Sequence, residues 1–342
     1  MRKMTKLSLV ILLSAGFMGF MVFYYLFLPL GVQDEMVQIV IDRGTSMRAV
    51  TDSLRTHEIV TSRKALVFWL KVSGMANRIQ AGRFTFIKGE GILSASRKLL
   101  RAEPIEKSVT ILEGLTMEQI AGRMASEMNI DSAEFVRLCN DAEFIRGANI
   151  QAPSLEGYLF PDTYRFPENS RESAIIRRMV SRFLEAYATV VGDSDIMADF
   201  NRHQIITLAS IVEKEATLAS ERGRIAGVFH NRLKLGYPLG ADPTVRYIFR
   251  KFNGPLLVSE LNSSSPYNTR KFKGLPPGPI CSPGLASIQA AAKPDSTKEL
   301  YFVARWDGTG AHDFSLTLQE HDRKKLRIRR ENELRKRKKE HK

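Results

Sequence analysis

From Leu7 to Pro29 the chain runs for 23 positions without a charged side chain. At about 1.5 Å per helical residue that is enough to cross a hydrocarbon layer of roughly 30 Å. A cleavable signal peptide would carry a shorter apolar region closed by a small-x-small site. This run ends instead in Phe23, Tyr24, Tyr25, Leu26 and Phe27, rings suited to a membrane interface. The pattern predicts an uncleaved span over 7–29. Arg2, Lys3 and Lys6 precede it and no comparable basic cluster follows before Arg43, which predicts a cytoplasmic N-terminus over 1–6 and an exported remainder.

Beyond the span the apolar pattern repeats. Val37–Leu54 and Ser108–Met124 align at an offset of 70, matching Ile41 with Ile111, Gly44 with Gly114, Ser46 with Thr116, Met47 with Met117 and Val50 with Ile120. Each copy reads as a short alternating strand, a Gly turn, a Ser or Thr helix cap, then an apolar stripe at helical spacing. One such unit cannot bury its own apolar face. Segment 78–89, with alternating aromatics after a Gly, is the strand expected to complete the first copy as a small α/β module ending near Arg101.

Later segments carry the candidate chemistry. Residues 154–166 set Glu156, Tyr158, Asp162 and Tyr164 among aromatics and one Pro. That mixture suits either a wall that stacks on sugar rings or a core strand with a turn at Pro161-Asp162. Residues 199–220 predict the strongest helix, with Ile205, Leu208, Ala209, Val212, Ala216 and Ala219 on one inward stripe. At about 100° per residue, Glu213 and Glu215 fall roughly 80° to either side of it. Both are candidates for a carboxyl kept protonated by partial burial, and periodicity does not choose between them. A second amphipathic helix follows from Gly227. A loop with Gly236, Pro238, Gly240 and Pro243 is then expected to carry Asp242 and Thr244. The Pro/Gly-rich stretch 265–284, with Tyr267, Asn268 and Thr269, reads as an ordered functional loop before a capped helix near Ser282-Pro283.

Charge changes the picture only at the ends. Of a formal +14, residues 323–342 hold 12 basic against 3 acidic side chains and the first six residues hold three more basic ones, leaving +2 between. No basic surface suited to nucleic acid is implied for the folded body, and the tail reads as a solvated helix end. With 44% apolar and 26% charged residues the chain is globular rather than disordered. Its six His lack zinc-ligand spacing, and neither a P-loop nor a G-x-S-x-G elbow occurs. No metal or cofactor is expected. Cys139 and Cys281 are expected to stay unpaired.

Five ordered blocks, SLEGYLFPDTYRF, LASIVEKEA, VFHNRLKLGYPLGADPTV, SPYNTRKFKGLPPGPICSPGLASIQAAAKP and ELYFVA, together resemble the YceG family, the membrane-anchored endolytic murein transglycosylases. The resemblance implies an α+β protein of the inner membrane. Its expected divisions are a transmembrane helix (7–29), a LysM-like module (30–104), a second repeat-like linking module (105–150), a catalytic domain (151–322) and a basic tail (323–342). It implies cleavage within peptidoglycan strands between N-acetylmuramic acid and N-acetylglucosamine, leaving 1,6-anhydro ends and terminating nascent strands. Synthases or division proteins are expected partners. By the resemblance alone the catalytic acid is Glu215. Glu156, Tyr158, Asp242, Thr244, Tyr267, Asn268 and Thr269 are expected at the substrate. Cys281 stands where the family pattern suggests a small residue. A non-catalytic cell-wall anchor using the repeat modules is the competing reading.

Overall fold

A computed structural model describes residues 2–27, 35–42, 44–101, 106–168, 170–191 and 200–340. It is a mixed α+β structure that divides into two compact units, 1–106 and 107–342. Three two-stranded sheets are spread among its helices.

The first unit opens with α1, Arg2–Phe27, one continuous helix that exposes Val10, Ile11, Leu13, Phe17, Met18 and Phe20. Among the described residues no helix is long and apolar enough to cross a membrane. Leu28 and Pro29, the end of the expected span, lie outside those residues. The strand–turn–helix pattern then appears as expected: β1 (Met36–Ile41), Gly44 at φ +84°, and α2 (Met47–Thr56) capped by Ser46, whose Oγ accepts from Ala49 N. After α3 (Arg63–Val72), β2 (Gly82–Ile87) pairs antiparallel with β1, placing Ile39 opposite Phe84 and Ile41 opposite Gly82. α4 (Ile92–Lys98) closes a core of Ile39, Ile41, Val50, Leu54, Leu66, Leu70, Phe84, Phe86 and Leu99.

The second unit starts with the second copy. β3 (Glu106–Thr110) leads to Gly114 at φ +76° and to α5 (Met117–Met128), whose cap Thr116 forms a reciprocal box with Gln119. Its strand is completed by a distant one, β4 (Thr163–Pro167), so this copy is built into the larger unit. Between them lie α6 (Ser132–Cys139) and α7 (Ala142–Gly147).

There follow α8 (Glu172–Val191), α9 (Arg202–Glu215), α10 (Arg222–Lys234), α11 (Asp242–Ile248), α12 (Val258–Leu261) and α13 (Leu285–Ala292). The hairpin β5 (Tyr301–Ala304) and β6 (His312–Ser315) and the long α14 (Leu318–Glu340) end the unit. The basic tail is thus the outer part of a helix. Both cysteines are free and buried.

α9 is the centre of this unit. Every residue from Ile205 to Val212 is buried, Thr207 and Ser210 included, so its apolar stripe has become an all-round core contact. Asn201 caps it with Gln204. It ends at Glu215, earlier than the pattern to 220 suggests, because Ala216 takes extended dihedrals (φ −80°, ψ 110°). Ala219 therefore lies in a 3₁₀ turn and is exposed, not on the inward stripe. Asp242 and Thr244 differ from expectation too: they sit on α11 rather than in a loop, since Pro243 in the first turn starts a helix with no N–H to satisfy.

Gly157 joins two of the recognised blocks. Its φ is +84°, and a Cβ there would lie 2.5 Å from Pro279 Cβ and 3.0 Å from Ile206 Cγ2. Gly157→Ala is expected to lower stability by about 2–4 kcal/mol through strain and overpacking, read as an earlier urea midpoint for the larger unit.

Candidate active site

The three residues that end α9 point to three different places. Glu213 reaches forward to α13: its Oε2 accepts Gly284 N at 3.1 Å and Ser287 Oγ at 2.7 Å. Gly284 is the N-cap of that helix, so Glu213 supplies the capping oxygen a glycine lacks. Arg222 stands 3.8 Å from its other oxygen. Lys214 turns the opposite way and donates to Gly114 O in the β3–α5 turn at 3.3 Å. Glu215 is left with neither task.

Glu215 is partly buried, and among the described residues no donor is hydrogen-bonded to its carboxyl. Burial raises that carboxyl to about 7, the Asp242 charge adds to the rise, and Arg232 opposes it. Standing at the C-terminal end of α9, it also meets the negative pole of the helix, which disfavours the ionised form. Lys214, its neighbour in sequence, is held away by Gly114. The physical requirements for an acid that is still protonated near neutral pH are therefore met at Glu215.

The surrounding parts are held by hydrogen bonds between two loops. Gly240 N donates to Thr269 O at 2.9 Å, Ala241 N to Thr269 Oγ1 at 3.1 Å, and the Thr244 and Thr269 hydroxyls meet at 3.0 Å. Pro238 and Lys273 form a β-bridge just beyond. At the start of α11 the half-exposed Asp242 pairs with Arg270 at 2.5 Å. Arg232 on α10 donates to Leu300 O at 2.7 Å and Leu239 O at 2.6 Å, and its guanidinium lies 5.2 Å from the Tyr301 ring.

Several of the expected substrate residues are hydrogen-bonded within the protein. Tyr158 is buried in the core, bonded to His203 Nδ1 at 2.8 Å and edge-on to Phe183. His203 in turn holds Pro277 O at 2.9 Å. Asn268 is fully buried and spends its amide on Leu261 O and Ser263 O; Thr244 and Thr269 are buried on each other. Asn268 thus satisfies carbonyls that a loop without regular structure leaves unpaired, while Tyr158, Thr244 and Thr269 meet other side chains.

Tyr267 is half-buried against Tyr247, with ring centroids 5.2 Å apart. Glu156 lies at the start of α5, accepting Met117 N at 3.1 Å and the Tyr247 hydroxyl at 3.2 Å. Burial raises it to about 7, with Glu118 reinforcing the rise. Of the expected site residues, then, Asp242 is the one the structure couples to Glu215.

Arg232 is a site residue the sequence reading missed. Its signal was present: Ile225, Val228, Phe229 and Arg232 share one helical stripe, and a lone cation on an apolar stripe marks a buried charge that needs a partner.

With the geometry in hand, comparison with known proteins is informative. Residues 39–327 match the YceG-like family. A Bacillus subtilis protein named endolytic murein transglycosylase is 36% identical over 310 residues, 84% of each chain. A Streptococcus pneumoniae protein of the same name is 27% identical over 92% of this chain, which spans 62% of that longer relative. A crystal structure described as a YceG-like protein of Listeria monocytogenes superposes with a TM-score of 0.57 at 30% identity, covering 85% of this chain and 99% of the other.

A carboxyl raised in the folded state opposes folding once it ionises. The penalty is absent below about pH 4.5, where the unfolded chain is also protonated, and complete above about pH 8. Glu215→Gln is therefore expected to match the parent at pH 4 and to exceed it by on the order of 3 kcal/mol at pH 8. Urea unfolding at the two pH values checks this; parallel curves would mean that Glu215 is solvated.

Proposed function

The chain belongs to the YceG-like family, and on that premise we propose that it is an endolytic murein transglycosylase whose single catalytic carboxyl is Glu215. The observation that carries the assignment is the state of that side chain: partly buried, free of capping duties and raised to about 7.

Glycosidases commonly use two carboxyl groups, but a substrate with its own acetamido group can stabilise the cationic anomeric carbon itself. Protonated Glu215 donates to the oxygen linking C1 of N-acetylmuramic acid to N-acetylglucosamine, and the C1–O bond breaks. The carboxylate so formed takes the proton of the muramic C6 hydroxyl, and O6 closes onto C1. Glu215 returns to its acid form, water is not consumed, and the new end is a 1,6-anhydro sugar. Water must be kept from C1 for this outcome. The loops joined by Thr244 and Thr269 supply a rigid boundary, while Asp242 keeps the acid protonated by its charge. Cleavage within nascent strands, ending their elongation, fits an acid placed on a surface helix end.

The sequence supports the setting. An uncharged 23-residue run behind a basic N-terminus fits a single inner-membrane span, with the remainder outside the cytoplasm. The strand–helix–helix–strand order of β1, α2, α3 and β2 supports a LysM-like reading of the first unit, with the larger unit as the catalytic domain. Synthases or division proteins are partners suited to an enzyme held at the membrane where strands are made.

Glu215→Gln is expected to reduce strand cleavage by about a thousand-fold. Mass spectrometry of the parent's products should find 1,6-anhydromuramic ends and no oxygen from labelled water; reducing ends would show hydrolysis instead. Because the active form is the acid, kcat/KM should fall about tenfold per pH unit above roughly pH 7. Asp242→Asn removes a charge that favours the protonated form, so the falling limb should move to lower pH, and an unmoved limb would detach Asp242 from the acid.

A further inference from the structure

The hairpin β5–β6 presents two different sides. On one side its tip is fixed to the chain that leaves Glu215. A Cβ on Gly310 would lie 2.6 Å from Thr217 Cγ2, and His312 donates its backbone N–H to Glu221 Oε1 at 3.0 Å while its ring meets Oε2 at 2.7 Å. On the other side stands Trp306, 78% exposed, with φ +53°. A left-handed backbone is uncommon for so bulky a residue, and here it holds an indole in solvent instead of in the core.

Exposed as it is, Trp306 also edges a groove. Together with Val303 it borders a cavity of about 660 Å³ whose far wall is one face of α14, with residues 322, 325, 326, 329 and 332 following one another at helical spacing. Leu326, half exposed, continues the apolar floor. The charges around it balance: Asp322 and Glu333 against Lys325 and Arg329, with the Asn332 amide between. The helix beyond the lining is strongly basic, but the lining itself is locally neutral and offers donors and acceptors to a ligand rich in hydroxyl and amide groups. An exposed indole ring beside such donors and acceptors is a platform for the apolar face of a pyranose.

Resting on the transglycosylase reading above, we propose that Trp306 and the facing side of α14 form a distal subsite for a β-1,4-linked N-acetylamino-sugar strand. It would hold the polymer some distance from the bond cut at Glu215. The hairpin makes the connection, since one tip carries Trp306 and touches Thr217, two residues after the acid. Neither strand cleavage as such nor the acid depends on this site; its contribution is to grip a long strand.

The test uses the full chain in detergent with Glu215→Gln to prevent turnover. It reads Trp306 emission as the difference between that protein and the same protein carrying Trp306→Phe, because the chain has only one other Trp. Titration with the N-acetylglucosamine hexamer should give a saturable change in that difference signal. In the active enzyme Trp306→Ala should raise KM for long strands about five-fold, and Trp306→Phe should restore most of it. If strands are cleaved to anhydro ends while Trp306 emission ignores the hexamer and KM does not move, the subsite is wrong and the enzyme reading stands. If the hexamer saturates Trp306 but no anhydro ends form, the subsite stands and the enzyme reading falls. A response to phosphatidylglycerol vesicles with none to the hexamer would overturn the proposal in favour of a lipid contact.

Discussion

The larger unit depends on burying the middle of one helix on all sides. α9 is enclosed from Ile205 to Val212, which obliges its polar members to bond within the helix: Thr207 Oγ1 donates to His203 O and Ser210 Oγ to Thr207 O. Ser210 also accepts Ile280 N at 3.0 Å, so the helix holds part of the Pro/Gly-rich stretch against itself. A helix surrounded in this way has little freedom to shift, and the residue where it stops is therefore well placed in space. Glu215 is that residue. Its raised carboxyl follows first from burial at the end of α9, with the Asp242 charge adding to it.

Much of the architecture was legible because it rests on local chemistry. The strand, Gly turn and capped helix recur at Ser46 and Thr116, since a cap oxygen and a residue tolerant of positive φ are short-range requirements. Segment 78–89 was recognisable as a strand from its alternating aromatics. The end of α9 was less legible, because Ala216 is a good helix former and leaves the helix for tertiary reasons. The loop side chains were least legible. Asn268, Thr269 and Tyr158 look like ligand groups when only their types are known, but their hydrogen bonds go to partners 5 to 45 residues away, which no local pattern reveals. The difference between Glu213 and Glu215 had the same character: that Glu213 caps α13 shows only once Gly284, 71 residues away, is in place.

The two copies of the strand–turn–helix pattern show how one local solution serves two ends. In the first, β2 follows closely and the product is a small self-contained unit. In the second, β3 waits for β4, and Glu156 caps the N-terminus of α5 from outside while bonding Tyr247 on α11. That carboxyl, raised like Glu215, ties the borrowed module into the larger core.

The arrangement of Glu213, Lys214 and Glu215 also constrains how this protein can change over time. Each residue along a helix turns by about 100°, so adding or deleting a single position inside α9 would rotate its end relative to everything packed on it. The carboxylate that now caps α13 would swing towards solvent, the lysine would lose Gly114, and the acid would leave its shelter. Substitutions can accumulate along α9 one at a time, whereas a shift in reading length of one codon triplet cannot, and homologues should differ in length elsewhere.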